Sequence, residues 1–478
     1  MSYPADSRLG GQGTHRLVVI GGGCSGALVA AQLLLRAAAG VHVVLIERSS
    51  ELGRGVAYGT LCPEHLLNVT AARMSAFPDD PGHFLRWAKR REGLHGIHRR
   101  VGPDDFLPRG VFGEYIQDVL GRARERAGPG VFFEHVTGEA VDIEDRRRGP
   151  GVVLSDGRTV EADGVVLAVG VLPGEYPIRR PLPFYRSPQY VHAPFKWDFL
   201  GDVTKGDALL LVGAGLSAVD IAVSCDRMGH KGVVHALSRR GIRPMEHLPR
   251  AGVHPQFLFP GQLPGTVRET LRLVRTEASK GGDWRAVVDS IRPVTQRLWL
   301  GYSLEERARF MRHLRPYWEA HRHRIAPATA ATLRAMESAG RLRFHAGRLV
   351  SLRNTPTGAT ALLRQRGSEQ YTQLSVAKVI NCTGPRTDYS KFQHPLLINL
   401  LASGLIRHDP LALGIDALPS GEVLRFGGKP SGWLYTIGAP LKGVLWESTA
   451  VGDIRVQAAE LAQRLISLSV QSHAARAI

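Results

Sequence analysis

Short apolar runs alternate with helically spaced segments along most of this chain. His15–Ile20 (HRLVVI) is a six-residue apolar run that stops at Gly21-Gly22-Gly23, the pattern of a buried parallel strand before a tight turn. The Ala- and Leu-rich stretch Ser25–Ala39 favours helix, and Val41–Ile46 reads as the next strand. A βαβ unit of about 30 residues therefore opens the chain. Helical spacing recurs at Phe84–Arg91 and Phe112–Ala127. Val131–Val141, Gly151–Val160 and Val165–Val169 read as strands, the second with Asp156-Gly157 as its hairpin turn. Pro173–Pro194, crowded with prolines and aromatics, reads as a linker. The βαβ pattern begins again at Ala208–Val212, with Val233–Leu237 as its second strand. Four helices are predicted within Pro264–Gly340, near Val267–Lys280, Trp284–Leu300, Leu304–His321 and Pro327–Ser338. Strand-like sequence returns at Leu342–Leu352 and Leu374–Ile380, and Trp446–Val470 predicts a closing helix. Strands alternating with helices imply an α/β fold with parallel sheets.

The two strand-to-helix turns carry the chemistry. Gly21-Gly22-Gly23-Cys24-Ser25-Gly26 fits G-x-G-x-x-G in the strand–turn–helix context that gives the motif its meaning. Gly21 permits the turn, Gly23 lets backbone approach a pyrophosphate, and Gly26 allows close helix–strand packing. Cys24 and Ser25 open the helix, whose N-terminal N–H groups suit a phosphate. Glu47 lies 26 residues after Gly21, where an acid accepts both hydroxyls of an adenosine ribose and repels a 2′-phosphate. FAD or NAD fits there, and NADP does not. Arg48 follows the acid. Arg54, between Gly53 and Gly55, could reach the pyrophosphate or flavin edge, or belong to a surface turn. Gly213-Ala214-Gly215-Leu216-Ser217-Ala218 repeats the loop with Ala at the third small position. Its second strand ends in Ser238-Arg239-Arg240-Gly241, 25 residues after Gly213. A hydroxyl and two guanidinium forks suit a 2′-phosphate and favour NADPH over NADH; a solvated strand end is the competing explanation. Asp220, on the helix after this loop, reads as a packing or capping residue. The pattern predicts two Rossmann-like dinucleotide-binding domains, the second inserted into the first. A polar tail occupies 1–14 and the first domain 15–200. The second domain spans 201–365, with a helical insertion over 264–340, and the first returns over 366–478.

Composition narrows the picture. At 44% hydrophobic and 22% charged, the chain is an ordinary globular protein. The formal net charge of +18 is spread along the sequence, which fits phosphorylated ligands better than nucleic acid. Arg146–Arg148 reads as a solvated loop. Four isolated cysteines, Cys24, Cys62, Cys225 and Cys382, provide no C-x-x-C pair and no metal spacing. They argue against a disulfide framework and a disulfide reductase, and for the cytoplasm. No apolar stretch is long enough for a transmembrane helix, and the tail lacks a signal-peptide core.

Two dinucleotide folds, one nested in the other, resemble the FAD/NAD(P)-dependent flavoproteins of the glutathione-reductase-like superfamily. Within it the chain is most similar to bacterial FAD–NAD(P)-binding proteins related to flavin-dependent N-hydroxylating monooxygenases. Gly53–Thr60 (GRGVAYGT), Leu66–Val69 (LLNV), Ser238–Gly241 (SRRG), Tyr317–Pro327 (YWEAHRHRIAP) and Trp446–Arg455 (WESTAVGDIR) carry the resemblance. Val165–Gly170 (VVLAVG) and Val379–Gly384 (VINCTG) look like its two interdomain crossovers. The chain departs from the pattern at Tyr435–Pro440, which lacks the acid that often meets the flavin ribityl chain. It also lacks a full Baeyer–Villiger motif: His192 and Trp197 are present, but Arg186 and Pro188 replace the Phe and Gly. The resemblance implies FAD at the first loop and NADPH at the second, with Asn68, Met74, Val141, Gly170, Gly384 and Gly438 among the cofactor-binding residues. Reduced flavin would take up O2 as a C4a-hydroperoxide and hydroxylate the nitrogen of a small amine or amino acid. A flavin-dependent dehydrogenase or oxidase is one alternative, and a nucleotide-binding redox sensor or scaffold another. No catalytic acid or base stands out, and no metal is expected. His65, Asn68, Arg73 and Met74 could line the flavin or be structural. Tyr317–Arg324 could gate substrate or form an ion-pair network.

Overall fold

Two parallel sheets carry the two glycine loops. The computed structural model describes residues 14–93, 97, 100–194, 197–249, 252–391 and 394–476. All of the expected tail except Thr14 lies outside the described residues. The first sheet begins with β1 (His15–Ile20), β2 (Val41–Glu47) and β3 (Val131–Thr137). A small antiparallel sheet follows, formed by β4 (Ala140–Arg146), β5 (Gly149–Leu154) and β6 (Thr159–Glu161), before β7 (Gly164–Leu167) rejoins the first. The second sheet comprises β8 (Tyr190–Val191), β9 (Leu209–Val212), β10 (Val234–Ser238), β11 (Leu342–Thr355), β12 (Gly358–Gln365), β13 (Tyr371–Val376) and β14 (Lys378–Asn381). The chain then returns to the first sheet through β15 (Glu422–Leu424) and β16 (Pro430–Thr436).

The first sheet has the order β15-β16-β7-β1-β2-β3 and the second β13-β12-β11-β10-β9-β14-β8. In the first, β16, β7, β1, β2 and β3 run parallel. In the second, β11, β10, β9, β14 and β8 do the same. Each order reverses beside a glycine-loop strand, between β1 and β7 and between β9 and β14. An open α/β sheet offers its ligand crevice at such a reversal.

The helix Cys24–Arg36 is buried at every position from Gly26 to Leu34, as expected of a helix apolar on nearly all sides. It lies against the first sheet and between the helices Arg109–Glu125 and Val451–Arg476, which share its core cluster. Truncating one of its leucines, such as Leu33, would cost about 2–5 kcal/mol. The opposite face of the sheet is covered by the β4–β6 sheet and by Leu396, Leu397 and Leu400 of the helix Pro395–Ala402.

Several elements differ from the expectations. The stretch 131–141 is two strands: past Gly138 the chain leaves the first sheet and enters the small one. The segment 284–300 breaks around Pro293 into the helices Trp284–Ser290 and Thr295–Gly301. The segment 304–321 contains a π turn, Phe310–Leu314, just before Pro316. Proline has no N–H for the carbonyl four residues back, which is that of Arg312. The second sheet runs through Asn381, past the boundary expected at 365, because β13 pairs with β12 and β14 with β9. β12, β15, β16 and the helix Pro395–Ala402 had no assignment from periodicity.

Gly213 (φ +125°) would place a Cβ 2.0 Å from the Cys382 carbonyl oxygen, whereas Gly215 meets nothing within 4 Å. Gly213→Ala is expected to destabilise the fold by about 2 kcal/mol or more, and Gly215→Ala by less than about 1 kcal/mol, as read from urea midpoints. Burial, followed by His345 and Arg343, lowers the His235 pKa from 6.5 to about 4. Burial and Arg324 do the same for His247. Between pH 6.5 and about 4 the unfolded chain therefore binds protons that the folded rings do not. Stability should fall as pH drops through that window, and His235→Gln should flatten the fall in a denaturation series.

Candidate dinucleotide sites and the junction between them

At the first loop, the backbone packs too closely for side chains. A Cβ on Gly21 (φ +105°) would lie 2.4 Å from the Ala168 carbonyl oxygen, and one on Gly26 would lie 1.9 Å from the Gly21 oxygen. Gly23 caps the helix without a side-chain partner, and no acid stands in the first turn. The N–H groups there, including those of Cys24 and Ser25, are left for an anion. Glu47 is held at the tip of β2: Gly22 N–H donates to Oε2 at 2.7 Å, and Arg48 N–H donates to Oε1 at 2.8 Å. Gly53 N–H donates to the Gly22 carbonyl at 2.7 Å, which draws Gly55 up against Gly23. From the far side, Gly438 (φ +76°) brings its backbone to Ser25. These residues fit an FAD pyrophosphate and ribose: a cradle that Cβ atoms would fill, an uncapped helix and a fixed acid.

The other expected residues of this site are placed less uniformly. Arg54 is mostly buried, with Nε donating to Gln117 Oε1 at 3.0 Å and Nη2 at 3.9 Å from Glu114. Its guanidinium is therefore anchored on the helix Arg109–Glu125. The Gly170 carbonyl accepts from Tyr389 Oη at 3.1 Å. Met74 is buried in the core cluster, and the Asn68 carbonyl lies 3.1 Å from His247 Nε2. Val141 sits at a bulge of the small sheet and its carbonyl accepts from Asn399 Nδ2 at 2.9 Å. Gly384 (φ +87°) follows β14 and so stands at the second crevice.

The second loop repeats the first in its geometry. Gly213 approaches Cys382 as Gly21 approaches Ala168. Gly215 caps the helix Leu216–Arg227 with no side-chain bond and no acid in the first turn, which contains Ser217 and the buried Ala218. The strand tip is chemically different. Ser238 Oγ donates to the Ile242 carbonyl at 3.2 Å. Arg239 and Arg240 border a cavity of about 390 Å³ together with Arg348, Arg364 and Arg366. Arg348 and Arg364 are register partners across β11 and β12. Like charges directly opposed destabilise a sheet, and an anion between them reverses that term. Glu369, 3.8 Å from Arg364, is the acid on the wall. Burial and the neighbouring guanidiniums, Arg240 first among them, hold Arg239 below its ordinary pKa. Arg240 also donates to the carbonyl of Arg312, within the π turn, at 3.2 Å. Sequence reasoning missed Arg348, Arg364 and Arg366. The available signal was the density of arginine on a strand pair.

The domains meet through buried polar groups. Arg109 grips Asp220 with two bonds of 2.7 and 2.6 Å. Asp220 is thus an interdomain anchor, beyond the packing role expected of it. His65 Nδ1 lies 2.7 Å from Thr60 Oγ1, and its Nε2 lies 2.7 Å from Ser224 Oγ and 3.1 Å from the Asp220 carbonyl. Burial lowers the His65 pKa. Tyr317–Arg324 contributes an ion-pair network. Trp318 Nε1 donates to Glu447 at 2.9 Å and Arg322 Nε at 3.2 Å, while Arg324 makes bonds of 2.7 and 2.6 Å to Asp289. Glu447 is nearly buried and has φ +67°. Nearby, Lys442 Nζ sits 4.9 Å from the Trp446 ring centre, and burial followed by Arg315 lowers its pKa to about 8. The cysteines are unpaired, and burial pushes the Cys24 and Cys225 thiols up to about 12. No metal-competent cluster occurs among the described residues, and none of their helices is long and apolar enough to cross a membrane.

Residues 18–172 match a family model described as FAD-NAD(P)-binding, NAD_binding_9. The match spans β1 to the segment just past β7, which includes the first glycine loop and Glu47. No curated protein matches the chain in sequence. Among solved structures, the chain is similar to the ornithine N-hydroxylase of Kutzneria sp. 744, solved with reduced FAD, NADP+ and L-ornithine. The identity is 17% and the TM-score 0.60, over 95% of this chain and 99% of that one. The ornithine hydroxylase of Pseudomonas aeruginosa matches at 14% identity and TM-score 0.61, with the same coverage of 95% and 99%. The L-lysine 6-monooxygenase of Pseudomonas syringae matches at 16% and 0.59, again over 95% and 99%. At these identities, the likeness is one of fold.

Removing Arg109 strands Asp220 without its cation in a buried position. Arg109→Ala is expected to cost about 3–5 kcal/mol, while the double replacement Arg109→Met/Asp220→Leu recovers most of that loss. Denaturant titration of the two variants decides the matter.

Proposed function

We propose that the chain is an FAD-dependent, NADPH-oxidising monooxygenase that hydroxylates the nitrogen of an amine. One observation carries this reading. Two crevices of the same backbone design end in opposite chemistry, a fixed carboxylate at Glu47 and an arginine cluster around Arg239. The first accepts ribose hydroxyls and rejects a 2′-phosphate; the second calls for one. The fold shared with ornithine and lysine N-hydroxylating enzymes supports the reaction class.

In this reading, bound FAD and NADPH would supply the redox chemistry, NADPH the two electrons and the flavin the site of O2 activation, with one oxygen going to the amine nitrogen and the other leaving as water. The chain supplies binding and placement. The uncapped helix at Gly23 and the glycines packed around it hold the FAD pyrophosphate, and Glu47 holds the adenosine ribose. The helix starting at Leu216 takes the NADPH pyrophosphate, while Arg239, Arg240, Arg348 and Arg366 surround the 2′-phosphate. The Arg109–Asp220 pair and His65 fix one domain against the other, so that hydride donor and acceptor keep their spacing. With the Cys24 thiol neutral at ordinary pH, no thiolate is available beside the loop for disulfide chemistry.

The purified protein should show flavin absorbance, bleach with NADPH under argon, and form a hydroxylamine in air with a suitable amine. Stoichiometric peroxide with every amine offered would instead assign an oxidase. Arg239→Ala and Arg348→Ala should each raise the KM for NADPH about tenfold or more and leave that for NADH nearly unchanged, since each removes a charge-assisted contact of about 1.5–3 kcal/mol. Equal effects on both nucleotides would remove the NADPH assignment.

A further inference from the structure

The helical insertion contains a second cavity, of about 460 Å³, that the nucleotide sites do not account for. The size falls in the range of small-molecule pockets, on the order of 300–1,000 Å³. The helices Val267–Ser279, Trp284–Ser290 and Thr295–Gly301 form part of the wall, and the π turn Phe310–Leu314 with the helix after it forms the rest. π turns inside helices recur at functional sites. The floor is aromatic. Trp299 and Trp446 stack with centroids 4.8 Å apart, and Phe310 meets Trp446 edge-on at 5.1 Å.

The polar groups of the cavity define what it takes. Among the described residues, no aspartate or glutamate lines it, while Arg275 and His321 do. Thr270 and Tyr302 satisfy each other at 2.5 Å, and Thr295 donates to the Ile291 carbonyl at 3.2 Å. Trp446 is 3% exposed, yet its indole N–H has no partner. The nitrogen is sealed from solvent, so Trp446 offers the cavity its apolar ring. Arg275 is exposed and forms no ion pair with a described carboxylate. A cationic group placed here would meet Arg275 on the wall, while Glu306, behind Val267, is already paired with Arg309.

The cavity is tied to the flavin crevice by one loop. Trp446 precedes Glu447 and Ser448, and Ser448 Oγ donates to the Gly438 carbonyl at 2.7 Å. Gly438 in turn lies against Ser25 of the first glycine loop. Trp299 Nε1 and Gln296 Nε2 bind the carbonyls of Gly443 and Trp446 at 2.8 and 2.6 Å, seating the insertion on that loop.

We propose that this cavity holds the non-reacting body of the substrate: an aromatic or branched aliphatic group, uncharged or anionic, packed on the rings of Trp299, Phe310 and Trp446. The substrate is then an apolar amine, such as an aromatic amino acid, in contrast to the amine-tipped side chains of ornithine or lysine. The substrate assignment rests on the monooxygenase reading; the cavity assignment does not.

Equilibrium dialysis of the flavin-loaded protein with 2-naphthylacetate, which has no nitrogen to oxidise, reads the cavity without turnover. Saturable binding is expected, displaced by L-tryptophan and unaffected by L-ornithine or cadaverine. Val274→Trp, which fills the cavity, should weaken binding about tenfold, and Trp446→Leu, which removes part of the aromatic floor, about fivefold. Both variants are checked for a cooperative thermal transition, and the competition in the unaltered protein stands if either fails to fold. No saturable binding of 2-naphthylacetate, or displacement by ornithine in preference to tryptophan, overturns the inference. Hydroxylamine formation is measured separately with L-tryptophan and L-ornithine. Turnover of ornithine alone also overturns the substrate class, whereas binding of 2-naphthylacetate with no hydroxylamine from any amine upholds the cavity and counts against the monooxygenase reading.

Discussion

The architecture depends on one backbone contact made twice. Where each parallel sheet reverses its strand order, a glycine with positive φ lies against the carbonyl of the neighbouring strand tip, Gly21 at Ala168 and Gly213 at Cys382. A methyl group at either point would overlap that carbonyl. The contact lets strand, turn and helix close into a crevice whose floor is bare peptide. Helix N-termini then face the crevice with no side chain in the way. Everything that distinguishes the two sites is added at the strand tips, after this shared frame is in place.

Those tips are electrostatic opposites, and each is stable for a different reason. Glu47 is a carboxylate satisfied by two backbone N–H groups, so it is held in place before any ligand arrives. The arginine tip is incomplete by itself. Arg348 faces Arg364 across a strand pair, and Arg239 is surrounded by further guanidiniums. Self-repulsion of this kind is relieved by an anion with several oxygens, which couples the local stability of β11 and β12 to occupancy. Arg240 adds a mechanical link. One of its nitrogens holds the Arg312 carbonyl, so a side chain of the arginine cluster also braces the π turn of the helical insertion.

The insertion and the first domain are joined by the loop 438–448, which touches the first glycine loop at one end and supplies Trp446 to the apolar cavity at the other. Glu447, held by Trp318 and Arg322, fixes the loop in a conformation with positive φ. Backbone strain of that kind persists where surrounding bonds over-determine it. The Arg109–Asp220 pair performs the same service between the domains. Its worth lies in the geometry it enforces, because desolvation offsets much of the attraction of a buried ion pair.

The local sequence determined the nucleotide-binding frame. β1, the helix after it, β2 and Glu47 follow one another within a single βαβ unit, as do β9, its helix and Ser238-Arg239-Arg240, so spacing and residue type sufficed to place them. Most of the strands and helices carrying those motifs were legible for the same reason. The limits of 284–300 and 304–321 were harder, because Pro293 and Pro316 break runs whose apolar spacing reads as continuous helix. Tertiary structure alone decided the rest. Arg109 and Asp220 are 111 residues apart, and Trp318 and Glu447 are 129 apart. Arg348, Arg364 and Arg366 reach the Arg239 cavity only because β11 extends beyond β10 and pairs with β12. Such convergence leaves no periodic trace in the chain, since the energy of each contact depends on residues that only the completed fold brings within reach.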